Sequence, residues 1–101
     1  MFYVAEIMRL TAEALLALPA PDRSRAEHFL LDALEVARSQ EAKFWELRAA
    51  SALARLWSGE GRQAEALALL APVYDWFTEG FDTLELRSAK ALMDELRQQR
   101  R

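Results

Sequence analysis

No cysteine occurs among the 101 residues, and there are only three glycines, three prolines and one histidine. Without cysteine there are no disulfides, thiolate nucleophiles or cysteine metal sites. Charges interrupt every apolar stretch before it reaches the ~18 residues that a membrane span needs. The start, MFYVAEIMR, lacks a basic segment ahead of an apolar one, so the expectation is a cytoplasmic protein with no membrane partner. A net charge of −3 without clustered Lys and Arg argues against nucleic acid as a partner. The sequence has no Gly-x-x-x-x-Gly-Lys, and the Gly59-Glu60-Gly61 turn lacks the lysine and hydroxyl that hold a nucleotide's phosphates and metal.

What is present is apolar residue at helical spacing almost throughout, enough for one packed core in a chain of this length. The scarce Gly and Pro divide it into five helices. Helix one runs from about Tyr3 to Leu18, where Pro19 and Pro21 stop it. Ser24 with Glu27 reads as a capping box opening helix two, which continues to about Arg38. After a short turn at Ser39 and Gln40, helix three spans about Glu41 to Ser58 and ends where Gly59 and Gly61 can turn left-handed. Helix four, about Arg62 to Thr78, contains Pro72, which costs the bond to the Ala68 carbonyl and bends it, with Gly80 terminating. Asp82 with Glu85 reads as a second capping box, with Phe81 and Leu86 as a staple, opening helix five, about Thr83 to Gln98.

The polar positions predict how these helices sit. On helix three they form one stripe, Glu41, Arg48, Ser51, Arg55 and Ser58, so that helix should be buried on most sides. Helix five has a single apolar face, Leu86, Ala89, Leu92, Met93 and Leu96, as a terminal capping helix should. The expected architecture is all-α: one domain over 1–101, with a helix pair over 3–38, a second over 41–78 and a capping helix over 83–98.

Ala50, Leu53, Ala54 and Trp57, then Gly61, then Ala66, Leu70 and Val73 resemble one tetratricopeptide repeat. Its small residues let two antiparallel helices approach while Trp57 and Leu70 fill the wedge. Ala26, Leu30 and Ala33 form a weaker upstream copy, with Leu10 and Ala14 fitting its first helix, at an offset longer than the ~34-residue period. The strings YVAEIMRL, AEHFLLDALEVARSQEAKFWELRAASALARLW and LLAPVYDWFTEGFDTLELRSAKALMDEL are similar to the C-terminal repeat region of large bacterial signalling proteins. Those proteins join class III adenylate cyclases, or winged-helix regulators, to an AAA-type ATPase module. The resemblance implies the repeat tail only, because no cyclase or nucleotide-binding motif is present.

Chemistry is sparse. His28 shares a polar stripe with Arg25, Asp32 and Glu35 and has no nucleophile to serve, while His28 with Asp32 falls short of a metal's usual ligand set. Glu79, Asp82 and Glu85 read as capping groups, and Arg97, Arg100 and Arg101 as a solvated helix end. Trp45, Trp57, Tyr74, Trp76 and Phe77 are expected in the core or between repeats. No catalytic residue, cofactor or metal is expected. The functional candidate is the groove that the first helices of the pairs would line, presenting Arg48, Ser51 and Arg55 to a carboxylate or acidic segment of a protein or peptide partner. An alternative is a small-ligand sensor closed into the same groove. Helix one also carries more apolar residues, Phe2 and Tyr3 among them, than a neighbouring pair covers. A homodimer through Val4, Ile7, Met8 and Leu15 is therefore expected.

Overall fold

The computed structural model describes residues 2–99, with side chains from Val4 to Gln98. The side chains of Phe2 and Tyr3, and Arg100 and Arg101 altogether, lie outside the described residues. Five helices follow one another: α1 (Phe2–Leu16), α2 (Arg23–Ser39), α3 (Lys43–Gly59), α4 (Gln63–Asp75) and α5 (Leu84–Gln99), with no strand among the described residues. Each sequential pair packs together, and α3 also packs on α1 and on α5, while α2 and α4 do not meet. One layer therefore contains α1, α3 and α5, the other α2 and α4. The shortest dimension, 20 Å, is that of a slab two helices thick. The fold is all-α, of helical-repeat form.

α3 is the shared element, and its buried run from Ala49 to Ala54 is as continuous as its narrow polar stripe predicts. Ala50, Ala54 and Ala66 are fully buried, as are Leu30, Leu47, Leu53, Leu70 and Leu96. Small residues bring the backbones together, and leucines fill the wedges left between them. The apolar face of α5 turns wholly inward. The upstream repeat copy needs a change of register, because Ala5 and Ala12 are the buried small residues of α1 whereas Leu10 and Ala14 face outward.

The α2–α3 and α3–α4 turns are the same device. In the first, the Ala42 N–H donates to the Ala37 carbonyl at 2.8 Å and the Glu41 N–H to Arg38 at 3.1 Å. In the second, Arg62 donates to Trp57 at 2.9 Å and Gly61 to Ser58 at 3.2 Å. Both are Schellman closures, which place one residue left-handed: Gly61 at φ 78°, and Glu41 at φ 54°. Glu41 is thus a turn residue and not the start of α3.

Other ends also differ from expectation. The Asp22 carboxylate, not Ser24, caps α2, accepting from the Arg25 N–H at 3.1 Å. At α5 the Thr83 hydroxyl accepts from the Leu86 N–H at 3.4 Å, the task assigned to Asp82. α4 ends at Asp75, a turn earlier than predicted. Pro72 sits inside it with no N–H for the Ala68 carbonyl, and the chain closes through a tight bond from the Phe77 N–H to the Tyr74 carbonyl at 3.1 Å.

The twin turns generate an opposed pair of variants. A Cβ on Gly61 meets nothing within 4 Å, so Gly61→Ala isolates the backbone penalty of the left-handed region, and a loss of about 1 kcal/mol is expected. Glu41→Gly relieves the same penalty, less the entropy of a freer unfolded chain, and should gain about 0.5 kcal/mol. Urea denaturation of the two variants against the parent measures both signs.

Candidate functional site

The inner-layer helices α1, α3 and α5 bring Arg9, Arg48, Ser51, Arg55, Glu85 and Ser88 to one recess of about 200 Å³. The heptad-like spacing of Arg48, Ser51 and Arg55 puts all three on one face of α3, as the sequence predicts. Arg9 and Ser88 come from flanking helices. Nothing local to their own segments singles them out, since only the packing of α1 and α5 against α3 brings them near.

The arginines differ in what they already hold. Glu6 of α1 sits between two of them: Arg9 donates through Nη2 to Glu6 Oε2 at 2.7 Å and through Nε to Oε1 at 2.8 Å. Arg48 approaches the same Oε2 at 2.9 Å, and its guanidinium lies 5.2 Å from the Trp45 ring centre. Arg9 also pairs with Glu13. The hydrogen bonds from Arg9, reinforced by the charges of Arg9 and Arg48, hold the Glu6 carboxyl below its ordinary range against the opposing pull of burial. The bond to Glu6 raises Arg9 in turn. Arg48 is therefore partly committed to holding α1 onto α3.

Arg55 is exposed and has no ion-pair or hydrogen-bond partner among the described residues. Ser51 is 5% exposed, and its Oγ has no hydrogen-bond partner. A second recess, of about 420 Å³, meets Arg55 from the α1 side; Leu16, Pro21, Leu30, Ala52 and Leu56 form its apolar wall, and Glu13 and Arg23 stand at it as well.

No family model matches the chain, and neither a curated protein nor a solved structure matches it. The arrangement itself must carry the functional reading. It offers guanidinium and hydroxyl donors at one recess and no nucleophile paired with a base. His28 lies elsewhere, on α2, three-quarters exposed and 3.4 Å from Asp32.

The candidate self-association residues divide. Ile7 is 56% exposed and Leu10, not among those candidates, 51%, while Val4 is half-buried and Met8 and Leu15 pack against the core. Ile7, Leu10 and Ala14, at spacings of three and four, therefore form the outward stripe of α1. Met8 and Leu15 are on the opposite side because Ala5 and Ala12 fix that face against α2 and α3.

The aromatic residues divide likewise. Trp45, Trp57, Tyr74 and Phe77 pack on the core, but Trp76 is 57% exposed beneath the Lys43 ammonium, 5.4 Å from its ring centre. Phe81, 44% exposed, lies tilted against Tyr74 with ring centres 5.7 Å apart. Glu27, read as half of a capping box, reaches across to α3: its Oε1 accepts from Trp57 Nε1 at 2.6 Å and from Arg62 Nη1 at 2.9 Å, with Arg62 stacked 4.4 Å from the Trp57 ring. That cluster fastens α2 to the α3–α4 turn and leaves the opposite layer free to present the recess.

The Glu6 bridge sets a pH dependence. Because its folded pKa lies below the ordinary carboxylate value of 4.5, its stabilisation is fully present above that value and is lost as pH falls through the folded value. Glu6→Gln should cost about 1 kcal/mol at neutral pH and progressively less in acid. Denaturation of parent and variant at both pH values checks that the gap closes.

Proposed function

We propose that this chain is a non-catalytic tetratricopeptide-like module for protein interaction or self-assembly, cytoplasmic, with the α1–α3–α5 face as its working surface. The observation that carries the reading is the unpartnered Arg55 on that face, between a recess rich in donors and a larger, mostly apolar one. An exposed guanidinium flanked by both suits a carboxylate-bearing segment of another protein. The resemblance of the repeat strings supports a place as the C-terminal part, or a relative, of a bacterial adenylate cyclase or ATPase signalling protein. A small-ligand sensor is the second reading, favoured by the recess that Arg48 and Arg55 share with α5. The outward stripe of α1 supports a homodimer centred on Ile7 and Leu10.

A fluorescent oligoglutamate peptide tests the working surface. The parent chain should bind it, and replacing Arg48 and Arg55 together by Ala should weaken binding at least about tenfold with helicity unchanged. Equal binding by both proteins rejects the surface.

Light scattering tests assembly. A dimeric mass is expected for the parent at tens of micromolar and a monomeric one for Ile7→Glu; a monomeric parent rejects the dimer.

A further inference from the structure

We propose that the recess between α3 and the first turn of α5 is a site for a phosphate monoester, whose dianionic head is held by Arg48, Arg55 and the hydroxyls of Ser51 and Ser88. This rests on the α1–α3–α5 face being the working surface and names the ligand chemistry that one part of it takes.

Ser51 is the first reason. It stands in the middle of a helix whose neighbouring buried residues are alanine and leucine, is almost completely buried, lines the recess, and gives its hydroxyl to nothing, not even the carbonyl four residues back. A buried hydroxyl without a partner is destabilising, and alanine there would remove the cost. The oxygen itself is closed off from solvent, so an acceptor oxygen held at the recess gives that hydroxyl its missing bond once the side chain turns toward it.

Arg55 is the second. Arg9 is neutralised by Glu6 and Glu13, and Arg48 shares Glu6, but Arg55 brings a full charge and unused N–H donors to the same place. α5 is the third. Its first turn supplies Leu84 and Glu85 to the lining and its second Ser88, so the positive pole of a helix 16 residues long lies at the recess wall.

Size and donor number select the class. The recess, about 200 Å³, is smaller than the ~300 Å³ at which sites for larger organic ligands begin, yet ample for a tetrahedral oxyanion. Two hydroxyls and two guanidiniums offer more donors than a carboxylate's two oxygens use, and they match the three terminal oxygens of a phosphate monoester. Glu85 is the only carboxylate in the lining. It opposes a phosphate dianion, free or esterified, by like charge, and a hydroxyl on the organic part of an ester, by donating to that carboxylate, offsets the repulsion for a hydroxylated ester.

The test titrates the intact chain with inorganic phosphate, glycerol phosphate, a phosphoserine peptide and acetate at constant ionic strength, by calorimetry and amide shifts. The phosphate compounds should bind more tightly than acetate and move amides in residues 48–55 and 84–88. Ser51→Ala and Arg55→Gln should each weaken glycerol phosphate at least about tenfold, with helicity kept. Ser51→Ala should also melt higher than the parent without ligand, and Glu85→Gln should tighten inorganic phosphate. Tighter binding of glycerol phosphate than of the peptide identifies a free metabolite, and the reverse a phosphorylated protein; either supports the site. Phosphate compounds that bind no better than acetate, or unchanged binding by Ser51→Ala, overturn it. Oligoglutamate binding that needs Arg48 and Arg55 alongside such a result leaves the working surface standing and removes only the phosphate assignment.

Discussion

Close approach at alanine is the constraint on which everything else hangs. α3 must touch four other helices at once, and a helix with bulky residues on every side cannot do so at the 8–10 Å spacing of packed helices. Ala49, Ala50, Ala52 and Ala54 give it that reach, and Ala26, Ala33, Ala37, Ala66 and Ala89 answer from its neighbours. Because those sides are all occupied, only one narrow strip of α3 is left to meet solvent. Arg48 and Arg55 stand on that strip, with Ser51 buried between them, so the packing that holds the array together also decides where its polar chemistry is displayed.

The layer without the recess contributes rigidity. Glu27, Trp57 and Arg62 join α2 to the α3–α4 turn with two hydrogen bonds and a stacked cation, and Arg62 reaches on to Glu65. The guanidinium of Arg62 holds the Glu65 carboxyl below its ordinary range, although Glu65 is exposed and Arg62 partly so, and solvent screens their attraction. The two Schellman turns set successive helices antiparallel in the same way each time.

Periodicity made the five helices, the inward face of α5 and the enclosure of α3 legible, because each is a property of one segment's own pattern. Residues with two available roles are not fixed by such a pattern. Ser24 and Asp22 are both good caps, and only the backbone path into α2 selects Asp22. Glu27 fits a capping box until Trp57 and Arg62 are placed beside it. Glu41 hides a left-handed turn because glycine, the usual marker, is absent. In the recess, Arg48, Ser51 and Arg55 were visible as a stripe. Their inequality was not, since it depends on Glu6, a residue of another helix, neutralising one arginine and leaving another alone.

The two ends of the slab are chemically unlike. α1 turns Ile7 and Leu10 outward, whereas the outer side of α5 carries Lys90, Asp94 and Arg97 in mutual ion pairs. An array with matching apolar ends would add copies head to tail without limit, the route to a filament. Here the two ends do not match: α1 shows Ile7 and Leu10 along its outward side, while on the outer side of α5 the ion pairs dominate and the exposed Leu84 is confined to the helix start. Were copies to associate through α1, such unlike ends would pair α1 with α1 in place of adding copies head to tail.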